Sequence, residues 1–116
     1  MPGARHQRIE SEMRREIAEL VSREVKDPRV GKVTITEVSL NKDLSSARVF
    51  CVPFAAKGPP EAVLEGLNNA AGFLRGEVGR RLRLRHAPRL TFILDETIDH
   101  AAHLTALIDS AIKRES

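Results

Sequence analysis

Between Ala70 and Arg89 the chain reads AAGFLRGEVGRRLRLRHAPR, a window whose apolar, small and basic residues fall on different sides of a helix. At roughly 100° per residue, Leu74, Val78 and Leu82 recur at i, i+4 and i+8 and form a stripe that demands burial. Gly72, Gly76 and Gly79 fall on a second line with Arg83, flanked by Arg75 and Arg80. A glycine inside a helix costs about 1 kcal/mol relative to alanine, so three on one line imply that a bare backbone is needed there. Either a neighbouring strand or helix packs closely, or a nucleic-acid backbone does, its phosphates held by forked guanidinium groups. The arginines favour the nucleic acid.

Charge is concentrated in this same window. Six arginines (75, 80, 81, 83, 85 and 89) stand against Glu77 alone, while the whole chain carries only +3. The remainder is therefore slightly acidic, and the basic character is local. Because the chain has 14 Arg and 5 Lys overall, the clustering carries the inference rather than the choice of Arg over Lys.

A pI near 9.5 points to an acidic partner: RNA, DNA or an anionic membrane surface. With four Phe and no Trp or Tyr, the sequence offers little for stacking splayed bases, which favours recognition of shape and backbone in a folded RNA. A DNA-binding groove for unstructured single strands is disfavoured for the same reason. A protein-interaction module remains a third reading, separable by a weak dependence of binding on salt.

Length and a 41% hydrophobic content predict one domain over 1–116, frayed at about 1–4 and 113–116. No apolar run is long enough to span a bilayer, and MPGARHQRIE lacks the apolar core of a secretory signal, so a soluble, cytoplasmic protein is expected. The lone Cys51 sits in ARVFCVPF and reads as a buried strand thiol.

Taken in order, Ile9, Met13, Ile17, Leu20, Val21 and Val25 predict an amphipathic helix over 5–25, ended by Asp27-Pro28. Its balanced Arg and Glu residues form a solvated face, on which Arg5 and Arg8 are candidate RNA contacts. VTITEVSL over 33–40 predicts a strand with a bulge between Ile35 and Val38. After a turn at Asn41-Lys42-Asp43, residues 47–54 predict a second strand, apolar on both faces and hence central, paired with the first as a hairpin.

AAKGPP over 55–60 is a loop whose last proline suits the first turn of a helix. Val63, Leu64 and Leu67 give that helix its buried side. It reaches a kink at Ala70-Ala71-Gly72, and the N-terminus of the basic helix beyond it is a ready site for a phosphate. Leu90, Phe92 and Leu94 predict a third strand, and a closing helix follows over 99–113. The order α-β-β-α-α-β with a C-terminal helix is that of a type II KH-like domain: an α+β fold with a three-stranded mixed sheet and helices on one face. In such domains the junction between the paired helices holds a GXXG loop that clamps a nucleic-acid backbone.

Enzymatic chemistry finds no support. Gly72, Gly76 and Gly79 mimic a phosphate loop, but they lie within a helical pattern and lack both a preceding strand and a Lys-Ser/Thr pair. Asp99, His100 and His103 read as surface residues rather than metal ligands. No cofactor is expected.

Several motifs carry a family resemblance: Asp27-Pro28-Arg29; Asp43-Leu44-Ser45 with Ala47; Ala70-Ala71-Gly72-Phe73-Leu74-Arg75; and Leu82-Arg83-Leu84-Arg85 with Pro88, Leu90, Phe92 and Asp95. Over roughly residues 5–108 the chain resembles the ribosome-binding factor A family. The resemblance implies that an Ala-X-Gly kink at Ala70, Ala71 and Gly72 replaces GXXG. It further implies binding of a monomer to the 30S subunit or its precursor through 16S rRNA, near the neck and decoding region. Late subunit maturation, 16S rRNA 5′-end processing and cold adaptation follow from it, with release aided by a GTPase or initiation factor. On this reading the RNA contacts are Ala70, Ala71, Gly72, Arg75, Gly76, Gly79, Arg80, Arg81, Arg83 and Arg85, joined by Arg5 and Arg8. Many relatives carry a longer, basic C-terminal tail; this sequence ends at Ser116.

Overall fold

Helical spacing of apolar residues builds the first element, α1, over Ala4–Glu24, and its Met13, Ile17, Leu20 and Val21 are buried. The computed structural model describes residues 3–54, 56 and 58–96. The predicted closing helix over 99–113, with Asp99, His100 and His103, lies outside the described residues. Helix α1 gives way to extended backbone at Val25, ahead of the Asp27-Pro28 pair that cannot continue it.

Strands β1 (Val33–Leu40) and β2 (Ser46–Pro53) pair antiparallel. Their register shifts between Ile35 and Glu37, where the sequence predicts a bulge. Thr36 is the extra residue, and its hydroxyl donates to Asp95 Oδ2 at 2.5 Å and lies 3.3 Å from the Phe50 carbonyl. A buried carboxylate thus takes up the side chain that the bulge displaces. Strand β3 (Arg89–Leu94) runs parallel to β2, giving the order β1-β2-β3, a mixed sheet with β2 at its centre as expected.

Alternation along β2 identifies the core face of the sheet. Ala47, Val49 and Cys51 are buried, while Arg48 is exposed and Phe50 and Val52 are half-buried on the opposite face. Leu90 and Phe92 continue the core face on β3, and α1 packs on it with α2 (Pro60–Asn69) and α3 (Ala71–Arg81). Burial of Cys51 among these residues, with Asp95 nearby, raises its thiol pKa to about 11.

Two features fix α2 in place, one against the α1–β1 loop and one against α3. The first is Gly66 of α2, where an added Cβ would lie 2.8 Å from Val30 Cγ2 and 3.2 Å from the Asp27 carboxyl carbon. There the α1–β1 loop lies almost on the helix backbone. Arg29 holds that loop: its main-chain amide and Nε donate to Asp27 Oδ1 at 2.9 and 3.0 Å, its Nη2 donates to Oδ2 at 2.6 Å, and its Nη1 reaches Glu65 of α2 at 3.0 Å. The second is the junction at Ala70, whose amide donates to the Gly66 and Leu67 carbonyls while its own carbonyl accepts from Leu74.

One expectation is corrected. The basic window is not a helix throughout, because α3 ends at Arg81 and Arg83 adopts a left-handed conformation with φ 54°. The Leu84 amide donates to Gly79 O at 2.9 Å and the Arg83 amide to Arg80 O at 3.2 Å, the paired bonds of a Schellman stop. Leu82 and Leu84, two residues apart, cannot both face inward from one helix. Ending the helix half-buries both. Arg83 therefore does not extend the glycine line, and it stands with Arg85 on the loop that leads through buried Pro88 into β3.

Candidate nucleic-acid interface

The exposed side of α3 separates the three glycines of the stripe. A Cβ built on Gly72 or Gly76 meets nothing within 4 Å, so both open onto solvent. One on Gly79 would approach Ala87 Cβ at 3.1 Å. The two readings of the stripe therefore each apply to part of it: close packing accounts for Gly79, and a free backbone surface is presented at Gly72 and Gly76. The buried stripe holds as predicted, with Leu74 and Val78 fully buried and Leu82 half-buried.

Gly72, Gly76 and Gly79 floor a shallow groove of about 430 Å³, rimmed by Arg75, Arg80 and Arg85. The Nε–H of Arg75 donates to the Ala87 carbonyl at 2.8 Å, which holds the guanidinium at the rim with its two terminal amino groups still available. Arg80, at the other rim, is paired with Glu77 one turn earlier and keeps 70% of its side chain exposed. No acidic residue stands in the first turn of α3 and no side chain caps it, so its N-terminus keeps its positive partial charge beside Gly72.

A second hollow, of about 360 Å³, continues from the first past Arg75, Leu84, Arg85 and Ala87 to Arg5 of α1 and the hairpin turn at Asp43, Leu44 and Ser45. The hairpin turn is held by its own hydrogen bonds. Asp43 Oδ1 accepts the Ser45 amide at 3.0 Å; hydrogen bonding from the Ser45 side chain, then from this amide, holds the Asp43 carboxyl below the usual carboxylate range, and His6 Nε2 lies 3.0 Å from the Asn41 carbonyl. Arg5 thus joins the groove through a connection that spans most of the sequence. His86, with Leu84 and Ala87, belongs to this surface and has no periodic signal in the sequence that would single it out.

The remaining predicted contacts are placed elsewhere. Arg81 is turned away from the groove: its Nη1 donates to Glu16 at 2.9 Å and to Glu19 at 3.2 Å, joining α3 to α1, and these bonds raise its pKa. On the helix it lies roughly 60° from buried Val78, on the side that meets α1 and away from the groove rim. Arg8 and Arg83 are exposed but line neither hollow, and Ala70 and Ala71 are half-buried against the core at the junction. Among the described residues, Arg5, Arg75, Arg83 and Arg85 have no acidic partner, and no group of three His, Cys, Asp or Glu could hold a metal ion.

Comparison with known proteins follows the same residues. A family model described as ribosome-binding factor A matches residues 5–108. A ribosome-binding factor A of Pseudomonas putida is 48% identical over 115 residues, covering 97% of this chain and 86% of that protein. The crystal structure of ribosome-binding factor A from Thermus thermophilus superposes with a TM-score of 0.68 at 31% identity, over 77% of this chain and 94% of that one. A Thermus thermophilus ribosome-binding factor A homology model, fitted into a cryo-EM map of a 30S complex, gives a TM-score of 0.63 at 32% identity, over 74% and 90% of the two chains.

Proposed function

This chain belongs to the ribosome-binding factor A family, and from that membership we propose that it binds the free 30S subunit or its precursor through the backbone of 16S rRNA. The observation that carries the reading is the solvent-open backbone at Gly72 and Gly76 between the rims formed by Arg75 and Arg80. A bare helix surface lets sugar and phosphate approach within van der Waals contact, and guanidinium groups on either side fork onto phosphate oxygens. The relative fitted into a 30S complex supports the choice of the small subunit as target.

The role follows from the chemistry of the surface. On this reading it holds an RNA conformation, and the protein serves as an assembly factor in late 30S maturation. We place it at formation and processing of the 16S rRNA 5′ end and at growth in the cold, where RNA misfolding is slow to correct. It works as a monomer, and a GTPase or initiation factor assists its departure.

Sedimentation with free small subunits, precursor subunits and whole ribosomes tests this. Co-migration with free and precursor subunits but not with assembled ribosomes is expected, together with an affinity that falls steeply with salt. Failure to co-sediment with either kind of small subunit at low salt would overturn the reading.

A further inference from the structure

Two of the four phenylalanines are exposed, and one of them stands beside the groove. Phe73 is 51% exposed on α3, directly after Gly72. On a helix it lies roughly 100° from Gly72 and 60° from Gly76, on the Arg80 side of the bare strip and opposite Arg75. The ring is left half in water beside a cationic backbone surface and is not among the side chains packed against the core. The same ring also walls a separate hollow of about 290 Å³ between the junction and the C-terminal end of α1, where Lys26, Asn69 and Ala70 stand with the carboxylates of Glu24 and Asp27. Within that hollow the Asp27 carboxylate is already taken up by Arg29, whereas Lys26 and Asn69 are exposed.

Resting on the proposed RNA contact, we propose that Phe73 is a stacking platform for one unpaired nucleobase of the strand whose backbone lies along Gly72 and Gly76. The base leaves the strip on the Phe73 side, lies against the ring and turns its polar edge toward the Asn69 amide and the Lys26 ammonium. Every base offers a π-face, so the ring contributes affinity with little sequence preference, and the amide supplies both a donor and an acceptor. The target is thereby narrowed to a place in rRNA where at least one nucleotide is unstacked, since a continuous duplex has no free base face to offer.

The absence of Trp and Tyr makes the test direct, because Phe73→Trp carries the molecule's single indole. Its emission should be quenched when free small subunits bind, while that of Phe54→Trp, the other exposed aromatic position, should not change. Phe73→Ala and Phe73→Leu should each weaken binding about tenfold with the salt slope unchanged, because a stacked base is lost and no phosphate contact with it. Wild-type affinity in Phe73→Ala, or in Phe73→Leu while Phe73→Ala is weakened, would overturn the platform; the second pattern would mean a simple apolar contact. Unquenched indole in the bound Phe73→Trp protein would overturn it also. These failures leave the wild-type chain binding small subunits in a salt-dependent way, whereas failure of the RNA reading itself would abolish that binding.

Discussion

Arg75 Nε donates to the Ala87 carbonyl at 2.8 Å, so the loop entering β3 holds the guanidinium that stands beside the glycine strip. A lysine there would keep the charge but could not both anchor to the carbonyl and present a fork. Arg75→Lys should weaken binding to small subunits about fivefold while leaving its salt slope in place. Arg75→Ala should weaken it further and flatten the slope by about one unit. Binding titrations over a range of salt concentrations separate the two outcomes; equal slopes in all three proteins would mean that Arg75 contacts no phosphate.

Gly76 and Gly66 predict opposite signs for the same substitution. An added Cβ at Gly76 meets open space, so Gly76→Ala should stabilise the fold by about 0.5–1 kcal/mol through helix propensity. Gly66→Ala should destabilise it, because Val30 Cγ2 stands 2.8 Å away against a helix whose loop contact cannot relax easily. Denaturant unfolding checks both. Small-subunit binding should fall in Gly76→Ala despite the added stability and should collapse in Gly76→Leu, which fills the groove floor. Wild-type affinity in Gly76→Leu would show that the RNA lies elsewhere.

The sequence is legible where one physical demand dominates. The bulge after Ile35, the central place of β2 and the kink at Ala70 all follow from runs of residues whose burial can be met in only one way. The glycine line reads correctly up to Gly79 and fails at Arg83, where burial of Leu82 and Leu84 outweighs a helical continuation that no local residue forbids. Distant partners are the other gap. Nothing near Arg81 in sequence announces Glu16 and Glu19, and nothing near Arg5 announces the hairpin turn that shares its hollow. The exposure of Phe73 is legible from its place outside the Leu74–Val78 stripe, but a low aromatic content says nothing about where the few rings stand.

Asp27 gives the fold an acid-sensitive element. Hydrogen bonds from the Arg29 side chain, then from its main-chain amide, lower the carboxyl pKa to about 2. The folded-state pKa is therefore below the unfolded value of about 3.9, so the contribution is complete above about pH 4 and is lost as pH falls toward 2. Asp27→Asn should unfold at lower temperature than wild type at neutral pH, and the gap should narrow across that acid window. A gap that persists unchanged at pH 2 would show that the Asp27 carboxylate's charge is not the source.

Cys51 behaves in the reverse sense. Burial, aided by the nearby Asp95 carboxylate, raises its pKa to about 11, so the native thiol stays neutral where an unfolded one ionises near about 8.5. Stability should accordingly fall as pH rises from about 9 toward 11, and the fall should be smaller in Cys51→Ala. At mildly alkaline pH a thiol reagent should label the native protein only as fast as it unfolds. Rapid stoichiometric labelling under native conditions would contradict the buried position on β2.

Arg80 and Arg81 are neighbours in sequence and opposed in role. Arg80 rims the groove, whereas Arg81 is only 33% exposed at its side chain and bridges Glu16 and Glu19 across the α1–α3 contact. Removing Arg81 leaves two carboxylates close together without their shared cation, a repulsion added to the lost hydrogen bonds. Arg81→Ala should therefore lower the thermal midpoint measurably and leave the salt slope of binding intact. Arg80→Ala should flatten the slope by about one unit and leave the midpoint nearly unchanged, because its pair with Glu77 is a largely exposed i, i+3 bridge. Measuring midpoint and slope on both variants distinguishes a cation that holds the helices together from one that holds RNA. A flattened slope in Arg81→Ala would mean that the bridge to α1 opens when RNA binds.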